Sequence, residues 1–284
     1  MKKIGFIDYY LHEWHADNIP KWVSDATNND MQVCYAWGEI DHPEGGKTNK
    51  QWSEEMGIPL CESIEEVIEK SDYLIVLSPD NPERHIDLCK LPLTSGKRTY
   101  VDKTFATIKA EAEYMMNLAK KSNTPFYTTS ALRYAREFQE YPREKIEYID
   151  SKGPGTFKNY AIHQIEPVVF MMNGCADRVL ASVNNISREG NIKPTLIYEY
   201  SNGRRAVMHM FGDDIGFSMT IQNKDGTAAE LKIESDFFAD WTKDLVNFFI
   251  TGEVSFPVFQ TIDVAAMLEA GNKAVLTPGV WVNV

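Results

Sequence analysis

Residues 4–22 read IGFIDYYLHEWHADNIPKW. A short apolar run, Ile4 to Ile7, meets Asp8, two tyrosines and a histidine, and then a stretch with apolar residues at helical spacing. A strand feeding a helix at the head of an α/β sheet is where glycines let a nucleotide's pyrophosphate approach the helix N-terminus. The one glycine of this stretch, Gly5, stands inside the strand and too early to serve the turn. The setting is that of a nucleotide-binding turn; the sequence is not.

Working outward, the first 130 residues alternate apolar runs with helical patterns. Strands are predicted at KIGFI (3–7), MQVCYAW (31–37), YLIVL (73–77), RTYVD (98–102) and PFYTT (125–129). Helical patterns fill the gaps: WHADNIPKWVSDATN (14–28), SIEEVIEKS (63–71), ERHIDLCKLPL (83–93) and IKAEAEYMMNLAKKS (108–122). Parallel strands need such crossover segments, and short all-apolar runs suit strands covered on both faces. Ser63 followed by Glu66 predicts a capping box at the head of the second helix. This part reads as a doubly wound α/β domain with a parallel sheet, spanning 1–130.

The remainder, 131–284, changes character. RVLASVNNIS (178–187), TLIYEYSNGRRAVMHMFG (195–212) and GFSMTIQNKDGTAAELKIE (216–234) alternate apolar and polar residues, with Asn202-Gly203 and Asp225-Gly226 as hairpin turns. Helices follow at FADWTKDLVNFFITG (238–252) and TIDVAAMLEAGNKAV (261–275). This predicts an α+β domain with an open antiparallel sheet, meeting the first domain at a cleft near residue 130.

Composition sets outer limits. Apolar residues are 43% and charged residues 25%, an ordinary globular balance. With 29 Lys and Arg against 41 Asp and Glu, the net charge of −12 opposes approach to nucleic acid or an anionic membrane, so neither is expected as a partner. Cys34, Cys61, Cys89 and Cys175 are scattered without C-x-x-C spacing and read as core residues of a reducing compartment. No signal-peptide pattern or membrane span is seen, and a cytoplasmic location is expected.

Three stretches hold candidate chemistry. Asp8, His12, Glu13, His15 and Asp17 combine imidazoles and carboxylates, but without H-E-x-x-H spacing; capping of the helix start is the plainer reading, and no metal is expected. In YVDKTFA (100–106), Lys103 directly follows a buried strand, at the sheet edge where open α/β folds bind ligands; an exposed lysine pairing with Asp102 is the alternative. In NYAIHQIEPVVFMMNG (159–174), His163 is a single histidine in an apolar segment, taken alone more often the setting of a hydrogen-bonded core histidine than of a catalyst.

Taken together, these stretches resemble the glucose–fructose oxidoreductase/inositol dehydrogenase (Gfo/Idh/MocA) family over nearly the whole chain. WHADNIPKW (14–22) is similar to the family's helix after the glycine turn, and DYLIVLSPDNPERHIDLC (72–89) to its third-strand segment, in which a Thr-Pro or Ser-Pro precedes a histidine. The segment from Gly96 to Ala135 resembles the one built around Glu-Lys-Pro, IHQIEPVVFMMNGCADRVLA (162–181) the catalytic-histidine helix and its following strand, and DFFADWTKDLVNFFITGE (236–253) the closing helix. The resemblance implies a Rossmann-type domain followed by one with an open antiparallel sheet, a nicotinamide cofactor, NAD or NADP, and oxidation or reduction of a secondary alcohol of a sugar or cyclitol. It implies Lys103 as the group holding the reacting hydroxyl and His163 as its proton partner. It predicts cofactor contacts at Ile7, Asp8, Tyr9, Tyr10, Trp37, Ser78, Pro79, His85 and Asp102, and substrate contacts at Arg133, Tyr134, Asn159 and Glu166.

The departures are concentrated. Aligning on His15-Ala16 puts Ile7, Tyr9 and His12 where the family has glycines, so the turn is expected to hold a dinucleotide more weakly, in a displaced pose. Glu-Lys-Pro is here Asp102-Lys103-Thr104, and Asn159 stands for the aspartate four residues before the histidine. The second strand ends without a clean acidic residue for a ribose, Glu39 being the best on offer. Two functions follow: an NAD(P)-dependent oxidoreductase, or a repurposed relative that binds a sugar or a partner without hydride transfer. Residues 195–212 alternate enough to offer an apolar outer sheet face, which predicts a homo-oligomer, dimer or tetramer.

Overall fold

The computed structural model describes residues 1–183 and 193–284. The chain forms two compact units, Met1–Thr129 with Ala239–Val258, and Ser130–Phe238 with Phe259–Val284. A single division near residue 130 therefore leaves out a return of the chain: 239–258 belongs with the first unit.

In the first unit five strands, β1 (Lys2–Asp8), β2 (Met31–Gly38), β3 (Tyr73–Val76), β4 (Thr99–Val101) and β5 (Phe126–Thr128), form an all-parallel sheet ordered β2-β1-β3-β4-β5. The crossovers carry α1 (Trp14–Ala26), α2 (Asn49–Met56), α3 (Ile64–Lys70), the short α4 (His85–Leu88) and α5 (Lys90–Thr94), and α6 (Lys109–Lys121). The helix expected over 83–93 is broken into short turns, with Pro92 inside its last piece. The Ser63 hydroxyl accepts from the Glu66 N–H at 3.3 Å, but the Glu66 carboxylate turns to the Glu62 N–H, so only half of the expected capping box forms. A complete one caps α2, with Thr48 and Gln51. Gly5 serves packing: a Cβ there would lie 2.4 Å from both Val67 Cγ1 and Ser71 Oγ, so α3 closes onto β1 only over a glycine. The returning segment adds Phe249 stacked on Tyr73 at 4.8 Å, Phe248 edge-on to Tyr127 at 4.7 Å, and Trp241 edge-on to Tyr100 at 5.5 Å.

The second unit is built on a seven-stranded sheet ordered β11-β10-β6-β9-β8-β7-β12. Its strands are β6 (Ile146–Gly153), β7 (Arg178–Ser182), β8 (Thr195–Glu199), β9 (Arg205–Met210), β10 (Ser218–Asn223), β11 (Ala228–Lys232) and β12 (Val282–Asn283). The sheet is mixed where an antiparallel one is expected: β6 runs parallel to β9, and the other pairs are antiparallel. The strand expected over 178–187 lies outside the described residues from 184 onward. Both predicted hairpins form, with Gly203 and Gly226 at positive φ. A short α7 (Arg136–Gln139) precedes β6; α8 (Phe157–Met172) and α10 (Phe259–Leu276) bury Ile165, Val169, Met172, Met267 and Ala270 in one core with Ile149, Leu196, Tyr198 and Met208 of the sheet. The Tyr198 hydroxyl donates to the Met267 carbonyl at 2.9 Å. The remaining helix, α9 (Phe237–Thr251), leads into the return segment. Among the described residues no helix is long and apolar enough to cross a membrane.

Candidate functional site

The site of the first unit lies at the carboxyl ends of β1 and β4, where Asp8 ends one strand and Asp102 follows the other. Five residues link β1 to α1, and the last of them, Glu13, is the N-cap. Its carboxylate accepts from the His15 N–H at 2.7 Å and from the Ala16 N–H. Those are donors that a helix start leaves for an anion. His15 Nδ1 lies 3.2 Å from Asp102 Oδ2 and 3.4 Å from Glu13 Oε2. Burial alone would pull the His15 imidazole down, but the Asp102 and Glu13 carboxylates outweigh it and its pKa is raised, with Lys103 opposing them.

Asp8 is 1% exposed. One oxygen accepts from the Tyr9 N–H at 2.7 Å, and the other has no hydrogen-bond partner within the protein. Burial, and then the Glu13 carboxylate, push the Asp8 pKa well above the usual aspartate value; backbone N–H groups oppose the rise and Asp102 adds to it. Asp102 Oδ2 likewise lacks an aligned donor, while Oδ1 accepts from the Tyr100 hydroxyl at 3.3 Å. Three carboxylates therefore converge here, with His15 and the half-buried Lys103 beside them.

The other residues of that polar cluster go separate ways. Asp17 accepts from the Trp52 indole at 2.8 Å and His12 Nδ1 from the Lys47 N–H at 2.9 Å. No group of three or more His, Cys, Asp or Glu could hold a metal ion among the described residues. Of the expected cofactor contacts, Ile7 is fully buried in β1, Tyr10 is buried with its hydroxyl 3.4 Å from Asp80, Tyr9 lies under Arg84, and Trp37 and Pro79 are half-buried. Burial, then the Asp80 charge, raises the Tyr10 pKa. Ser78 is buried at φ 118 and donates to the Asn81 carbonyl. His85 is wholly buried: Nδ1 sits 2.8 Å from the Thr104 carbonyl oxygen, and Nε2 3.0 Å from that of Leu77. Burial lowers its pKa, and whichever nitrogen carries the proton, the ring ties the end of β3 to the loop that carries Lys103. Glu39, the best acidic residue after β2, is taken by the Arg84 guanidinium at 2.6 Å.

In the second unit α8 carries His163 half-buried, with its Nδ1 2.8 Å from the Ser130 hydroxyl oxygen. The rings of Tyr160 and Phe217 stand edge-on to it. Glu166, one turn along, accepts from the Ser130 N–H at 2.7 Å and from Arg133 Nε at 2.9 Å. The Arg133 guanidinium, 2% exposed, also donates to Gln260 at 2.7 Å. Arg133 and Glu166 are thus brought together as a buried ion pair, with Tyr134 buried next to Arg133, while Asn159 is exposed on the first turn of α8. Sequence reasoning passed over Ser130 and Gln260. Ser130 had one signal, its place just past β5 at the carboxyl edge of the sheet.

No family model matches the sequence, and no curated protein matches it. Solved structures do. A probable dehydrogenase from Thermotoga maritima superimposes with a TM-score of 0.81 at 13% identity, over 99% of this chain and 98% of that one. The chain carries the fold of Gfo/Idh/MocA-type dehydrogenases. An apo scyllo-inositol dehydrogenase from Lactobacillus casei shares this dehydrogenase fold with a TM-score of 0.78, 13% identity and coverage of 99% and 98%. GenD2 from gentamicin A biosynthesis, solved in complex with NAD, has a TM-score of 0.79 at 12% identity, covering 100% of this chain and 97% of that one.

The group that a dehydrogenase fold implies is a nicotinamide dinucleotide, whose pyrophosphate takes N–H donors at the first helix. Here those donors serve Glu13, and the buried neighbours are Asp8 and Asp102. The residues at this turn do not fit a pyrophosphate in that seat.

Proposed function

We propose that the protein is an oxidoreductase acting on a secondary alcohol of a sugar or cyclitol-like substrate. His163 exchanges the hydroxyl proton and Lys103 holds the reacting oxygen. The observation that supports this is the His163 imidazole, half-buried on α8 and held in orientation by the Ser130 hydroxyl, whose oxygen lies 2.8 Å from Nδ1. An imidazole titrates near neutrality, and an ammonium stabilises a developing alkoxide. NAD or NADP is the hydride carrier this reading requires, and it has to be seated without the α1 N-terminus. Replacing Lys103 with Met or His163 with Ala should each abolish turnover in a nicotinamide-absorbance screen over sugars and cyclitols. Full activity in either variant removes the assignment.

A second reading, binding of a sugar without hydride transfer, is favoured by the Glu13 carboxylate on the α1 N-terminus. Thermal shift with NAD, NADH, NADP and NADPH separates the two, since a ligand at 100 times its Kd stabilises a fold by about 2.7 kcal/mol. Silence from all four supports the second reading. A homo-oligomer also belongs to the proposal; a 32.4 kDa species by light scattering would remove it.

A further inference from the structure

We propose that Glu13 is a specificity-determining residue that bars dinucleotides from the α1 N-terminus by holding that anion seat with its own carboxylate. The inference goes beyond the oxidoreductase reading, because it concerns what the first unit refuses. Three observations carry it.

The His15 and Ala16 N–H groups, which would meet an incoming diphosphate, already donate to Glu13. A carboxylate tethered next to its donors acts at high effective concentration, and a free anion has to compete with it. The turn is also fastened in place. Leu11 is fully buried with its N–H on Asn49 Oδ1 at 2.9 Å, and Tyr10 is buried as well, so the backbone is not left bare as a glycine turn would leave it. Finally, the cation nearest the turn is already spent: His15 Nδ1 lies 3.2 Å from Asp102 Oδ2 and 3.4 Å from Glu13 Oε2, both buried carboxylates, so an entering anion has to compete with them for it.

The experiment is a titration of the full chain with NADH and NADPH, followed by nicotinamide fluorescence and calorimetry, with inorganic pyrophosphate as a probe of charge alone. The wild type should show no saturation by pyrophosphate up to about 1 mM, a binding energy weaker than roughly 4 kcal/mol at this seat, whatever dinucleotide it holds elsewhere. Glu13→Ser keeps a capping hydroxyl and clears the carboxylate. It should bind NADH and pyrophosphate at least about tenfold more tightly, worth about 1.4 kcal/mol. Glu13→Gln, of equal size and uncharged, is the second variant should the serine protein fold poorly, and should move in the same direction. Wild-type binding as tight as that of both variants overturns the inference. Micromolar binding of NADH by the wild type that neither variant tightens would do so while leaving the oxidoreductase reading standing. A silent wild type with gain in either variant upholds the inference and counts against hydride transfer by the natural chain.

Discussion

The two units handle buried charge in opposite ways. In the second, Glu166 faces Arg133 and also accepts from the Ser130 N–H. Arg133 in turn reaches Gln260. In the first, three carboxylates gather around one imidazole, His15: Asp8 has an oxygen without a donor, and Glu13 and Asp102 both raise its pKa. A paired and satisfied network specifies one arrangement of helices and loop. A cluster of like charges costs stability, and such arrangements are concentrated where chemistry or recognition requires them. The contrast locates structure in one network and selectivity in the other.

The sharpest way to break that contrast is Arg133→Met. It strands Glu166 in the core, and loss of one partner from a buried pair costs about 3–5 kcal/mol. Urea unfolding should show it, and a loss below about 1 kcal/mol would mean that the pair is not what orders this region.

Asp8→Asn should act with the reverse sign. Because folding raises the Asp8 pKa above its ordinary 3.8, the folded chain binds that proton more tightly than the unfolded one. Stability is therefore greatest below the unfolded value and falls as pH rises through the folded one, by about 1.4 kcal/mol for each unit of difference. The asparagine variant should melt higher than wild type at neutral pH and converge with it in acid. A variant that melts lower at neutral pH would contradict the repulsion.

Ser130→Ala should cost about 0.5–1.5 kcal/mol, the worth of one hydrogen bond, and change the tautomer balance of His163 in nitrogen NMR. A threonine at 130 should restore it. The smallest effect is expected at Asn159→Ala: stability within about 0.5 kcal/mol of wild type and an unaltered His163 signal, since that side chain is exposed.

Much of the fold could be read in advance because apolar runs such as YLIV are buried on both faces and leave little choice but a central parallel strand. IEYIDSKG does not announce itself as β6: its alternation is interrupted by charges, and both its partners, β9 parallel and β10 antiparallel, lie far along the chain. The site was legible only in outline. Lys103, Asp102 and His163 stand out by residue type and place. What Glu13 does depends on α1 starting at Trp14, and a cap shows itself in backbone geometry more than in sequence. Arg133 and Glu166, expected to face a substrate, spend their charges on each other. Each was visible in the sequence; their meeting was not.

The return of 239–258 to the first unit has a consequence for synthesis. When Thr129 leaves the ribosome, Tyr73 and Tyr127 still lack Phe249 and Phe248. The wait lasts for the roughly 130 intervening residues, about 6–26 s at ordinary elongation rates of ~5–20 residues per second. For that interval a nearly complete parallel sheet stands with an aromatic flank uncovered. A nascent-chain arrest series should lose protease sensitivity in the first sheet only once Val258 has emerged.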